Sequence, residues 1–396
     1  MLGSLALILL CGLLVGEIFR RCKMPALIGM LAVGIVLGPY VLDVLDGSVL
    51  AVSAELRRVA LIVILARAGL ALDVEDLRQI GRPAVLMSFV PACFEMCGTM
   101  LMAQWLLGLP LLDAAILGAV VASASPAVIV PRMLKLMEEG YGTAKRIPQL
   151  VLAGDSVDDV FNIVVFSALV GLAKGENVSA VRFAEVPVAI VTGVLAGAAV
   201  GFLLAALFRR MQMRGVVEVI VLLGVAFLMV AAEDRLEGII PFSGLLAVMA
   251  AGVVILKRGP LAAKRMSGTL AKLWTGAEVL LFVLVGASVD IGYASEAGLK
   301  TVLMLAVVLV IRAIGIQLCL LGTKLNGKER LFCALTGIPK ATVQAAIGGI
   351  PLAMGLPNGG MILAVAVMAI LVTAPVGALL LDGLYERLLQ KSEEAI

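Results

Sequence analysis

From Ile147 to Ala173 the chain carries 27 residues whose only charges are three carboxylates, Asp155, Asp158 and Asp159. Coiled as an α-helix at 1.5 Å per residue, this run is about 40 Å long, enough to cross a hydrocarbon layer of about 30 Å. A charge at the centre of such a layer costs at least about 2.5–3.5 kcal/mol, so adjacent aspartates there need a compensating purpose. Side by side, two carboxylates also resist ionising together. Binding a proton or a small cation answers both difficulties.

The rest of the chain reads as a scaffold for that run. With 62% hydrophobic and 15% charged residues and a mean hydropathy of +1.13, the chain is expected to form an all-α polytopic membrane protein. Hydropathy predicts thirteen spans, at 2–19, 25–42, 57–72, 83–108, 112–135, 147–173, 184–208, 215–232, 239–257, 270–291, 299–322, 329–355 and 360–382. The opening residues have no basic segment and no clear cleavage site, so they read as a first span and not a signal peptide, with no soluble domain flanking the spans. Of 31 Lys and Arg, 22 fall on one loop side and 6 on the other, which predicts an outside N-terminus and a cytoplasmic C-terminus. The three left inside spans are Arg67, Arg312 and Lys340; Arg67 is expected to reach the interface. The six cysteines lack metal or disulfide spacing, and the absence of histidine leaves carboxylates to carry any pH response.

Two halves of the chain repeat. Residues 25–37 resemble 241–254 at an offset of 216, and Arg67–Asp73 resembles Val285–Asp290 at an offset of 217. Seven spans separate the copies, so the second runs the opposite way through the membrane: an inverted repeat of about 1–173 and 215–382, with 184–208 as linker, in one membrane domain. Its counterparts 112–135 and 329–355 both carry prolines, at Pro126 and Pro131 and at Pro339 and Pro351. These predict two crossed discontinuous helices, whose freed backbone groups line a cavity or find other partners.

On a helix Asp155 and Asp159 share a face, and Asp158 points about 100° from Asp159. Ser125, Ser156 and Asn162 can supply neutral oxygens, which with carboxylates make a ligand set for a hard monovalent cation. Asp155 alone sits near enough to the span end to snorkel. Glu95 and Arg312, 217 residues apart, are pseudo-symmetric counterparts and are expected to form an ion pair; Arg312 with Asp158 is the rival pairing. Lys340 stands at the break of its span, where it is expected to neutralise a half-helix C-terminus. Glu278 takes no assigned role.

These residues resemble the monovalent cation/proton antiporter superfamily, specifically its NHA branch of sodium/proton antiporters. The resemblance rests on Arg67–Asp73, Ser125–Pro131, Ser156-Val157-Asp158-Asp159, Ile311-Arg312 and Pro339–Gly348, and covers spans 3 to 12. It implies a homodimer whose protomers each hold a six-helix core, around 83–173 and 299–382, and a dimerisation domain from the other spans, with elevator-like alternation of access. It also implies that Asp159 is where Na+ (or Li+) and H+ compete, with Asp158 as its partner, and that Glu95 engages Arg312. Many relatives have lysine where Arg312 stands, and Asp155 matches no position of the family pattern.

The expectation is therefore a secondary transporter, not an enzyme, exchanging Na+ or Li+ for H+ across a cell membrane. It needs no cofactor and binds no nucleic acid; its setting is a bilayer, by loop size a bacterial inner membrane. Potassium/proton exchange is the nearest alternative. A sodium-coupled organic-anion symporter has no need of adjacent intramembrane aspartates, and an intramembrane aspartyl protease needs its two aspartates on separate helices. A structural or signalling role predicts that replacing Asp159 changes nothing.

Overall fold

The structure, a computed structural model, describes residues 1–22, 24–71, 81–173, 180–211, 215–236 and 240–392. Asp73, with Lys23, Arg78, Lys174 and Arg214 of the charge count and the side chain of Ser156, lies outside the described residues.

In chain order the helices are α1 (Leu2–Arg21), α2 (Ala26–Leu37), α3 (Gly47–Ala51), α4 (Ser53–Ala71), α5 (Arg82–Met87), α6 (Val90–Leu107), α7 (Leu111–Val121), α8 (Pro126–Glu139), α9 (Ile147–Ala173), α10 (Ala180–Met211), α11 (Gly215–Leu236), α12 (Gly244–Arg258), α13 (Pro260–Ala287), α14 (Ile291–Cys319), α15 (Gly327–Thr336), α16 (Thr342–Ile347), α17 (Ile350–Ala353) and α18 (Gly359–Leu388). Among the described residues nine segments are long and apolar enough to cross a membrane, and α2 and Thr342–Ala353 are shorter apolar helices. Every expected span falls on a helix or on consecutive helix pieces, but nine, not thirteen, meet the length criterion.

Two compact units result. The first comprises Met1–Ala54, Asp76–Ala173 and Phe282–Ile396, and the second Glu55–Glu75 and Lys174–Leu281. Within the second unit α10 lies against α12 through a four-residue glycine repeat. A Cβ on Gly193, Gly197 or Gly201 would come within 2.6, 2.2 and 2.6 Å of the carbonyl oxygens of Ser243, Ala247 and Ala251. In a lipid solvent such backbone contact replaces the hydrophobic drive that packs helices in water. Arg67 and Glu278 interact electrostatically in this unit.

The first unit holds the breaks. The expected interruption of span 112–135 is real: α7 ends at Val121, and Pro126 is the first residue of α8, where its missing N–H removes no intrahelical bond. Pro131, by contrast, lies inside α8, which continues through it. Span 329–355 breaks twice, at Gly337–Ala341 around Pro339 and at Gly348–Gly349 before Pro351. Span 83–108 also divides, at Ser88–Phe89, because Pro91 favours a helix start at Val90. Asn326 and Glu329 cap α15 reciprocally, and Lys145 from the α8–α9 connection bonds Glu329 at 2.8 Å. All six cysteines are free thiols.

Candidate functional site

The two broken helices meet at their breaks. The Ser125 N–H, just before α8, donates to the Pro339 carbonyl at 2.9 Å. Carbonyls freed at the end of α7 are claimed from other helices: the Gln344 amide donates to Val121 O at 3.1 Å and Ser123 O at 2.8 Å, and Arg312 donates to Ala122 O. These backbone groups, released by the breaks, find protein partners, as a membrane interior demands. Gly377 on α18 lets Pro339 approach closely, since a Cβ there would lie 2.5 Å from the proline ring.

Against this crossing lies α9. Asp158 is 1% exposed and Asp159 9%. The Ser123 hydroxyl, from the first break, donates to Asp159 Oδ1, and the Ala124 N–H reaches Asp158 Oδ2 at 3.4 Å. Asn162 Nδ2 donates to Asp158 O at 2.7 Å and to its Oδ1 at 3.3 Å. Arg312, on α14, resolves the choice between its two expected partners by taking both: NH1 bonds Glu95 Oε2 at 2.8 Å and NH2 bonds Asp158 Oδ2 at 2.7 Å. Gly337 clears space for it, a Cβ there meeting Arg312 Nε at 2.8 Å.

Lys340 corrects its expected role. Its ammonium does not cap a half-helix but bonds Glu95 Oε2 at 2.7 Å, with both side chains fully buried. Its backbone N–H is held by Thr373 Oγ1 at 2.9 Å. Screening of the broken ends falls instead to Gln344 and Arg312, whose donors reach the freed carbonyls. Asp155, near enough to the span end to snorkel, is instead 7% exposed, and its Oδ2 has no hydrogen-bond partner among the described residues.

The charges do not balance. Glu95, Asp155, Asp158 and Asp159 set four carboxylates against the two cations Arg312 and Lys340. Arg312 and Lys340 are spent on Glu95 and Asp158, which among the described residues leaves Asp159 with a hydroxyl and Asp155 without an ion pair. On the same segments Ser125 Oγ, Asn162 Oδ1, Thr342 Oγ1 and Gln344 Oε1 are buried oxygens without hydrogen-bond partners. An oxygen-only donor set with surplus negative charge suits a proton or a hard monovalent cation. Ser123, Gln344 and Thr342 were not among the expected site residues. Ser123 had a signal, since it shares the Ala122–Ser125 break with Ser125; the other two are neutral residues that nothing in spacing singles out.

Comparisons with known proteins place the chain in a family. A family profile described as "Sodium/hydrogen exchanger, transmembrane" matches residues 5–385. Sodium/hydrogen exchanger 9B2 of Mus musculus is 34% identical over 412 residues, covering 99% of this chain and 74% of the relative, and its Homo sapiens counterpart is 33% identical, covering 99% and 76%. The solved structure of the sodium proton antiporter MjNhaP1 from Methanocaldococcus jannaschii at pH 8 superposes with a TM-score of 0.87 at 22% identity, covering 98% of each chain, and so shares the fold. The chain therefore belongs to the transmembrane sodium/hydrogen exchanger family, within the monovalent cation/proton antiporters.

Proposed function

We propose that this chain exchanges Na+ or Li+ for H+ by alternating access, with cation and proton competing for Asp159. The observation that carries the reading is the unequal treatment of the adjacent aspartates. Asp158 is tied to Arg312 at 2.7 Å, whereas Asp159 has a single neutral donor, Ser123. Arginine keeps its proton, so Arg312 holds Asp158 in an ion pair as a positioning group. Asp159, with Ser123, Ser125, Ser156 and Asn162 as supporting oxygens, then holds either a proton or the cation, and one displaces the other. The Glu95–Arg312–Lys340 cluster supports the crossing around which the half-helices are arranged. The working form is a homodimer in a cell membrane, N-terminus outside and C-terminus in the cytoplasm, the core formed around 83–173 and 299–382.

Reconstitution into proteoliposomes with an internal pH dye tests this. Acid-loaded vesicles are expected to alkalinise on addition of Na+ or Li+. A response to K+ alone overturns the cation assignment, and no response to any of the three overturns exchange.

A further inference from the structure

The second unit contains a cavity of about 410 Å³ that the exchange reading does not use. It opens where α10 and α12 end and α11 and α13 begin, among Phe208, Arg209, Glu218, Ile255, Leu261 and Arg265. All four helix ends lie at one membrane face, the one on which the Lys and Arg excess falls. Two of these ends are N-termini of helices 22 and 28 residues long, which favour an anion. Arg209 and Arg265 stand at the opening, Arg209 exposed and the Arg265 side chain 57% exposed.

Inside lies a group of the opposite sign. Glu218 is 1% exposed, its Oε1 accepts from Arg265 NH2 at 3.3 Å, and its Oε2 has no hydrogen-bond partner. A bare anion entering this cavity meets a buried carboxylate with an acceptor to spare. A quaternary ammonium has no N–H to give it. The ligand that satisfies every group carries a phosphodiester for Arg209, Arg265 and the helix N-termini, and close beside it a primary ammonium for Glu218 Oε2. The neighbouring outer face of α10 is apolar and open at Phe202 and Leu203, and Leu261 is 78% exposed, so acyl chains attached to such a headgroup would continue along exposed apolar surface. Beside it Arg258 stacks on Phe202 at 4.4 Å.

We infer that this cavity seats the headgroup of an ethanolamine phospholipid from the surrounding bilayer. The seat lies wholly within the second unit and is independent of the exchange reading, whose assay it does not share.

Thermal unfolding of the full chain in detergent, with added phosphatidylethanolamine, phosphatidylglycerol or phosphatidylcholine, tests it. At saturating lipid the ethanolamine form is expected to raise the midpoint by about 3 °C more than either other lipid. Glu218→Gln is expected to erase that preference, and Arg209→Gln to weaken all three lipids. Equal or stronger protection by phosphatidylglycerol shows a plain anion site and overturns the inference, as does equal protection by phosphatidylcholine. Glycerophosphoethanolamine, lacking chains, and inorganic phosphate distinguish sources: full protection by either overturns a bilayer lipid as the ligand. If Glu218→Gln does not fold, competition among the three lipids for the wild-type protein, read by native mass spectrometry, decides by the same ranking.

Discussion

Glu95→Gln isolates the logic of the buried charges. In the structure one oxygen, Glu95 Oε2, accepts from both Arg312 and Lys340, at 2.8 and 2.7 Å, with no exposure of the carboxylate. Neutralising Glu95 leaves Lys340 without its anion and Arg312 with Asp158 alone. Removing one partner of a buried pair costs about 3–5 kcal/mol, because a charge is left uncompensated away from water. For 396 residues the unfolding entropy is about 0.8 kcal/mol per degree, so the melting midpoint is expected to fall by about 4–6 °C. Removing the stranded cation as well, in Glu95→Gln/Lys340→Gln, should recover much of that loss, since a neutral pair needs no counter-charge. The assay is thermal unfolding of the detergent-purified wild type, both single variants and the double variant. Additive losses, with the double variant as unstable as the sum of the singles, refute the shared-carboxylate account.

Three further outcomes follow from the same geometry. Ser123→Ala removes the hydroxyl that donates to Asp159, a charge-assisted bond worth about 1.5 kcal/mol or more, so the KM for Na+ should rise about tenfold at fixed pH; an unchanged KM contradicts the placement. Gln344→Ala strips a donor from the Val121 and Ser123 carbonyls, and at about 1–3 kcal/mol each the midpoint should drop by about 2–7 °C, whereas a wild-type midpoint means that other donors satisfy them. With proton and cation competing for one carboxylate, as proposed, the apparent KM for Na+ should climb about tenfold per unit fall in pH on the acidic limb, with the maximal rate at saturating Na+ little changed. A falling maximal rate at constant KM points to separate sites.

Much of this site is readable in the residue string, and for one physical reason. A membrane interior penalises charge and broken backbone so heavily that Asp158, Asp159, Glu95, Arg312 and the prolines near 126 and 339 stand out by being there at all. The 217-residue offset put Glu95 and Arg312 at equivalent depth, and the structure joins them. What periodicity cannot supply is the geometry inside a break. Ser123, Ala124 and Ser125 follow no helical phase, so nothing in their spacing says that Ser123 faces Asp159 while Ser125 gives its N–H to Pro339. Side-chain reach is equally hidden. Lys340 sits at a helix break, where its charge suits the free carbonyls, but its long stem carries the ammonium to Glu95. Gln344, uncharged, takes those carbonyls. Distance along the chain from the span end left Asp155 open to snorkelling; packing, and not sequence depth, buries it.

The central claim is that Asp159 carries the exchange. The most direct measurement is cation-induced proton movement in everted membrane vesicles containing Asp159→Asn, with equal expression and an unshifted melting midpoint as the check on folding. The account predicts no response to Na+ or Li+ at any pH. Exchange at the wild-type KM and rate would contradict it.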